Sequence, residues 1–220
     1  MITKKILKKT ESIKIINSKK DKINNIEESK KIRDSFIEEI IEVSKKYKEK
    51  PNKQYWRRIY VRTVFAFIES ECFGIKQFTL KLINKSTLES QFSPGEIFLL
   101  KEKTFNLNNK GKIEEKNLHL KTESNLKFTF NSAAKLTFDF NLNVSDVGWE
   151  SFKKALEIRH RVTHPKKLAS LIISDKEMNI TKKALDWFLD SVGMLYDARM
   201  KYLENRSKNL RQLAREINNM

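Results

Sequence analysis

The stretch Leu156-Glu157-Ile158-Arg159-His160-Arg161-Val162-Thr163-His164-Pro165-Lys166-Lys167 decides how the rest of the chain is read. Trp149, Phe152, Leu156 and Val162 supply the apolar stripe of a helix that Ser145-Asp146 can cap at its start. Pro165 stops it, because the residue before a proline is pushed out of the α region. Four cations and the only two neighbouring histidines of the chain therefore gather where a helix breaks. On an unbroken helix, Arg159 and His164 would point about 140° apart. They converge only if the helix ends between them.

Working outward, most of the chain carries helical periodicity. Leu168 to Ile173 is a short apolar connection, and Ser174-Asp175-Lys176-Glu177 is a capping box. The helix it opens turns Ala184, Leu185, Phe188, Val192, Leu195 and Tyr196 inward; beyond Met200 the sequence stays helix-prone but becomes polar and basic. Towards the N-terminus, Gln54 to about Asn84 is the strongest helix. Tyr60, Val64, Phe67, Ile68, Cys72, Ile75, Phe78 and Leu82 form a stripe so broad that other helices must enclose it. Arg57, Arg58 and Arg62 crowd its first turns, the unfavourable end of the macrodipole for cations, so that face is either solvated or meets phosphate. An amphipathic helix from Glu27 to Glu49 precedes it and ends at Pro51. Residues 1–26 alternate Lys pairs with Ile and Asn without a clean period and read as a basic flexible or loosely helical arm.

Between the two halves the pattern changes. Ser93-Pro94-Gly95-Glu96 starts a short helix that runs to Leu99 or Leu100. A small β-hairpin or irregular insertion is expected around residues 104–120: Phe105 and Leu107 alternate, Asn108-Asn109-Lys110-Gly111 is a turn, and Ile113 resumes beyond it. Residues 124–144 read both ways. Leu126, Phe128 and Phe130 alternate like a strand, as do Leu136, Phe138, Phe140 and Leu142, while Ala133 and Ala134 favour helix. The whole predicts an all-α domain over residues 27–200, with a basic C-terminal helical extension at 201–220. No repeat or linker marks a second domain.

Composition narrows the function classes. Only five glycines and three prolines occur in 220 residues, and no Gly-rich nucleotide fingerprint is present. Cys72, the only cysteine, rules out an internal disulfide and a thiolate zinc cage, and reads as a core thiol. Lysine and arginine total 45 against 28 acids, a net charge of +17 that favours RNA or DNA, an acidic protein, or an anionic membrane surface. A biased composition, rich in Ile and Asn, is the other source such a charge can have. The first residues lack the apolar run of a secretory signal, and no stretch approaches the ~18 apolar residues of a membrane span, so a soluble cytoplasmic protein is expected.

At residues 156–167 the sequence resembles the HEPN superfamily, all-α nucleic-acid-processing domains whose signature is an Arg, four to six intervening residues, and a His. Here Arg159, followed by the polar His160, is separated from His164 by four residues. The segment Tyr55-Trp56-Arg57-Arg58-Ile59-Tyr60-Val61-Arg62 looks like an early helix of such proteins, and the Trp187-Phe188 helix like a closing one; the resemblance covers about residues 27–200. It favours helix for roughly 124–137 and implies a HEPN-like bundle. It also implies a metal-independent endoribonuclease, without cofactor, working as a homodimer with a composite Arg/His site. RNA would be the substrate and the products would carry 2′,3′-cyclic phosphate ends, in a toxin–antitoxin or antiviral defence setting where an antitoxin or other regulatory protein is a partner.

The residue chemistry fits such a role. Metal-free RNA cleavage needs a base for the 2′-hydroxyl, an acid for the leaving oxygen and a cation for the phosphorane. Histidine titrates near neutral pH and arginine offers permanently charged, forked donors. Arg159 and His164 are thus the catalytic candidates, His160 a supporting residue, and Arg161, Lys166 and Lys167 RNA-binding candidates. Each has a plainer reading. Arg159 and His164 can simply satisfy a helix C-terminus, Arg161, Lys166 and Lys167 can be a solvated face, and Glu157 can pair with Arg161. The alternative function is a non-catalytic HEPN-like module that binds nucleic acid or a partner protein. His119 stands apart, and Glu69 and Glu71 carry no assigned role.

Overall fold

Prolines and caps divide the chain where the periodicity says they should. The computed structural model describes residues 31–83, 91–137 and 139–218, together with Glu28; the arm at 1–26 lies outside the described residues. Residues 31–49 form α1, and α2 follows at Gln54–Ile83 after the turn at Pro51. α2 is the axis of the fold. Its broad stripe, including Tyr60, Val64, Phe65, Ile68, Cys72 and Ile75, is buried, and α4, α5 and α6 all pack on it.

α3 (Pro94–Leu100) starts with the full capping box. Ser93 Oγ accepts from Glu96 N, and the Glu96 carboxylate accepts from Ser93 N at 2.9 Å. Strands β1 (Lys103–Leu107) and β2 (Ile113–Asn117) pair antiparallel, Leu107 opposite Ile113 and Lys103 opposite Asn117. In the connecting turn, Asn108 Oδ1 accepts from the backbone N–H groups of Lys110 and Lys112, and Gly111 takes a φ of 71°. Hence the insertion is a hairpin.

α4 spans Thr122–Ala134, and residues 135–137 and 139–146 are irregular, residue 138 lying outside the described residues. The strand-like alternation there has a packing cause. Leu126 and Phe130, one turn apart, enter the main core, whereas Phe128 packs against a second cluster made by Leu80, Ile83, Phe92, Leu100 and Leu136. Leu136 then belongs to the second cluster while Phe140 and Leu142 return to the first. A segment shared by two cores shows a period of two without being a strand.

α5 (Val147–Thr163) is capped by Asp146, whose Oδ1 accepts from Trp149 N at 2.7 Å. A 3-10 turn, η1 (Leu168–Leu171), leads to α6 (Asp175–Asn218). The Ser174/Glu177 capping box opens α6, which then continues without a break to Asn218, within the extension expected at 201–220. Leu185, Phe188, Val192 and Leu195 carry its buried face. The architecture is a helical bundle with one peripheral hairpin, and among the described residues no helix is long and apolar enough to cross a membrane.

Candidate functional site

The end of α5 and the segment that leads from it to α6 are held by the arginines of α2. A helix leaves its last carbonyls without partners and carries partial negative charge there. Arg62 Nη2 donates to Val162 O at 2.7 Å, in the last turn of α5. Arg58 donates to Leu171 O at 3.1 Å. Arg57 is buried, donating to Pro51 O at 2.7 Å, to Ile173 O at 2.8 Å, and to Asp175. Gln54 completes the clamp, with its Nε2 donating to Ile173 O at 3.1 Å and its Oε1 accepting from Ile173 N at 2.7 Å. Each of the three arginines thus donates to a protein carbonyl, Arg57 from a buried position and Arg62 from an exposed one. Sequence carried one hint of this, since cations at a helix N-terminus need a partner to justify them.

On this platform α5 ends at Thr163, so the break falls between Arg159 and His164. His164 is the C-cap at φ −122° and ψ 63°, its N–H donating to His160 O at 3.0 Å. Arg159 stays on the last helical turns and is half-buried. Its Nη2 donates to Glu69 Oε1 at 3.2 Å, and Glu69 also accepts a long bond of 3.4 Å from Thr122 Oγ1. Glu69, left unassigned from the sequence, is therefore the residue that orients the candidate guanidinium. Its contact joins positions 90 residues apart, beyond the reach of any local pattern.

The remaining candidates separate into two groups. His160, His164, Lys166 and Lys167 are exposed, and their side chains make no hydrogen bond or ion pair among the described residues. Arg161 is committed to the fold. Its Nη1 donates to Ser170 O at 2.9 Å and Ile172 O at 2.8 Å, while Nη2 pairs with Glu177, not with Glu157. Arg161 thereby fastens η1 to the start of α6. The imidazoles and lysines are exposed on the last turn of α5 and just after it, and the Arg159 guanidinium has Glu69 as its carboxylate partner. Such a surface can bind phosphate and exchange protons with it. His119 is exposed beyond β2 and has no part in this.

Comparison with family profiles, with curated proteins and with solved structures finds no match to this chain.

Proposed function

We propose that the chain is a HEPN-type endoribonuclease that cuts RNA without a metal, using Arg159 and His164 from each of two subunits. The observation that carries this is the end of α5. The helix stops at Thr163, His164 stands exposed as its cap, and Arg159 is held one and a half turns earlier by Glu69. His160, Lys166 and Lys167 share that exposed end, and the net charge of +17 suits a polyanionic substrate. In this account His164 exchanges the protons of the 2′-hydroxyl and the leaving 5′-oxygen, and Arg159 neutralises the phosphorane. A second copy supplies the other half of each pair. Arg161 holds the loop after the site through Ser170, Ile172 and Glu177.

One observation favours the alternative of a nucleic-acid-binding module without catalysis: among the described residues nothing orients the His164 imidazole. The two separate cleanly. For the nuclease, Arg159→Ala and His164→Ala each abolish cleavage of total RNA in EDTA while the protein stays folded, losing no more than about 1 kcal/mol of stability. For the binding module, wild type shows salt-dependent RNA retention with no fragments, and His164→Ala behaves like wild type.

A further inference from the structure

α2 and α5 run antiparallel beside the site. Glu69 meets Arg159, and Arg62, seven residues earlier, meets the carbonyl of Val162 at the end of α5. Tyr55 stands seven residues earlier again. At about 100° per residue, Tyr55, Arg62 and Glu69 lie within about 40° of one another on one face of α2. The ~10 Å of helix from Arg62 back to Tyr55 therefore runs on past the end of α5. The chain that leaves α5 takes the same direction, since Arg58 holds Leu171 O and Gln54 holds both backbone groups of Ile173. Those bonds bring Ile172, 52% exposed, alongside the first turns of α2. Tyr55 itself is 54% exposed. Its ring meets Trp56 edge-on, with centroids 4.9 Å apart at 75°, and its hydroxyl makes no hydrogen bond among the described residues. Tyr55 thus adds little to the core. An aromatic ring and an aliphatic chain left in water on the same end as exposed His164, Lys166 and Lys167 make a mixed surface, of the kind that holds single-stranded nucleic acid.

We propose that Tyr55 stacks on a base of single-stranded RNA whose phosphate lies at Arg159 and His164, so that the substrate of this site is an unpaired segment. The inference rests on the reading of the α5 end as an RNA site. In a duplex the bases are paired and stacked on one another, with no face free for the ring, whereas an unpaired strand can splay its bases out. Lys166 and Lys167 attract the backbone through charge, and the ring takes a base through its π face. Every base has such a face, so the selection is for an unpaired strand and not for a sequence.

The test uses 2′-O-methyl oligonucleotides, which have no free 2′-hydroxyl and stay uncut by the chemistry assigned to His164. Fluorescence anisotropy of the full chain in EDTA compares a short single strand, the same backbone without bases, and the strand annealed to its complement. Wild type should bind the strand about fivefold or more tighter than the baseless backbone, and tighter than the duplex. Tyr55→Ala should lose that margin while keeping wild-type affinity for the baseless backbone and the wild-type salt dependence. Tyr55→Phe, which keeps the ring, should retain the margin. Equal affinity of wild type for the strand and the baseless backbone overturns the proposal, as does duplex binding as tight as the strand. A margin that survives Tyr55→Ala, or a loss by Tyr55→Ala on both single-stranded probes alike, overturns it too. Cutting of unmodified RNA is scored separately. Wild type that shows the margin but never cuts removes the nuclease reading alone, and wild type that cuts without the margin removes the stacking alone.

Discussion

Gly148 shows how little space separates α5 from α6. A Cβ there would lie 2.3 Å from Cδ1 of Trp187, whose ring is itself packed on Trp149 and Phe152. Gly148→Ala should therefore destabilise by about 1–3 kcal/mol through overpacking, outweighing the ~1 kcal/mol that alanine gains in helix propensity. Urea denaturation measures the difference. Glu69→Ala removes a different kind of contact. The pair with Arg159 is part-exposed, 42% on the Glu69 side, so its loss should cost stability no more than about 1 kcal/mol. The same change should impair RNA cleavage, because it frees the guanidinium from its position. Cys72 offers a pH test. Burial pushes its thiol up to about 12, so the folded state keeps the proton where the unfolded chain, near 9, gives it up. The unfolded state then binds fewer protons, and stability present below pH 9 declines as pH rises towards 12, by up to about 1.4 kcal/mol per pH unit. Cys72→Val should flatten the first part of that decline in denaturation curves taken between pH 8 and 10.

At the scale of elements, the hairpin is tied down by one buried cation. Lys76, 0% exposed, donates to Glu102 and at 2.6 Å to Asn125 Oδ1, linking α2, the entry to β1, and α4. Glu102 reaches it from a backbone at φ 54°, a region that disfavours any residue with a Cβ. Two effects compete in Glu102→Gly. Relief of the backbone is worth about 1 kcal/mol, whereas stripping a buried ammonium of its carboxylate costs about 3–5 kcal/mol, less the share that solvent supplies at the part-exposed Glu102. Net destabilisation of about 1–3 kcal/mol should appear in urea denaturation. The elements themselves were largely legible in the sequence. α2, α3, α5 and α6 start at their predicted caps or beside their predicted breaks because capping and proline geometry act within a few residues. Residues 124–144 read two ways because Phe128 and Leu136 serve a second core, and no local period records which core a side chain enters. The site was legible only in part. The end of α5 at Thr163 follows from Pro165, but the clamp formed by Arg57, Arg58 and Arg62 and the Glu69 contact span about 90 to 120 residues and exist only in the fold.

For the whole molecule, the net charge and the exposed histidine end of α5 bear on one question, which is whether two copies cut a polyanion between them. RNA affinity should fall steeply with salt, and Lys166→Glu/Lys167→Glu should lower both affinity and the salt slope without altering the fold, since both lysines are exposed. The most direct measurement is end-group analysis of RNA incubated in EDTA with purified wild type, Arg159→Ala or His164→Ala. Fragments ending in 2′,3′-cyclic phosphate and beginning with a 5′-hydroxyl, made by wild type alone, are the result this account predicts. Intact RNA with wild type, equal cutting by His164→Ala, or cutting that returns only when a divalent metal is added would contradict it.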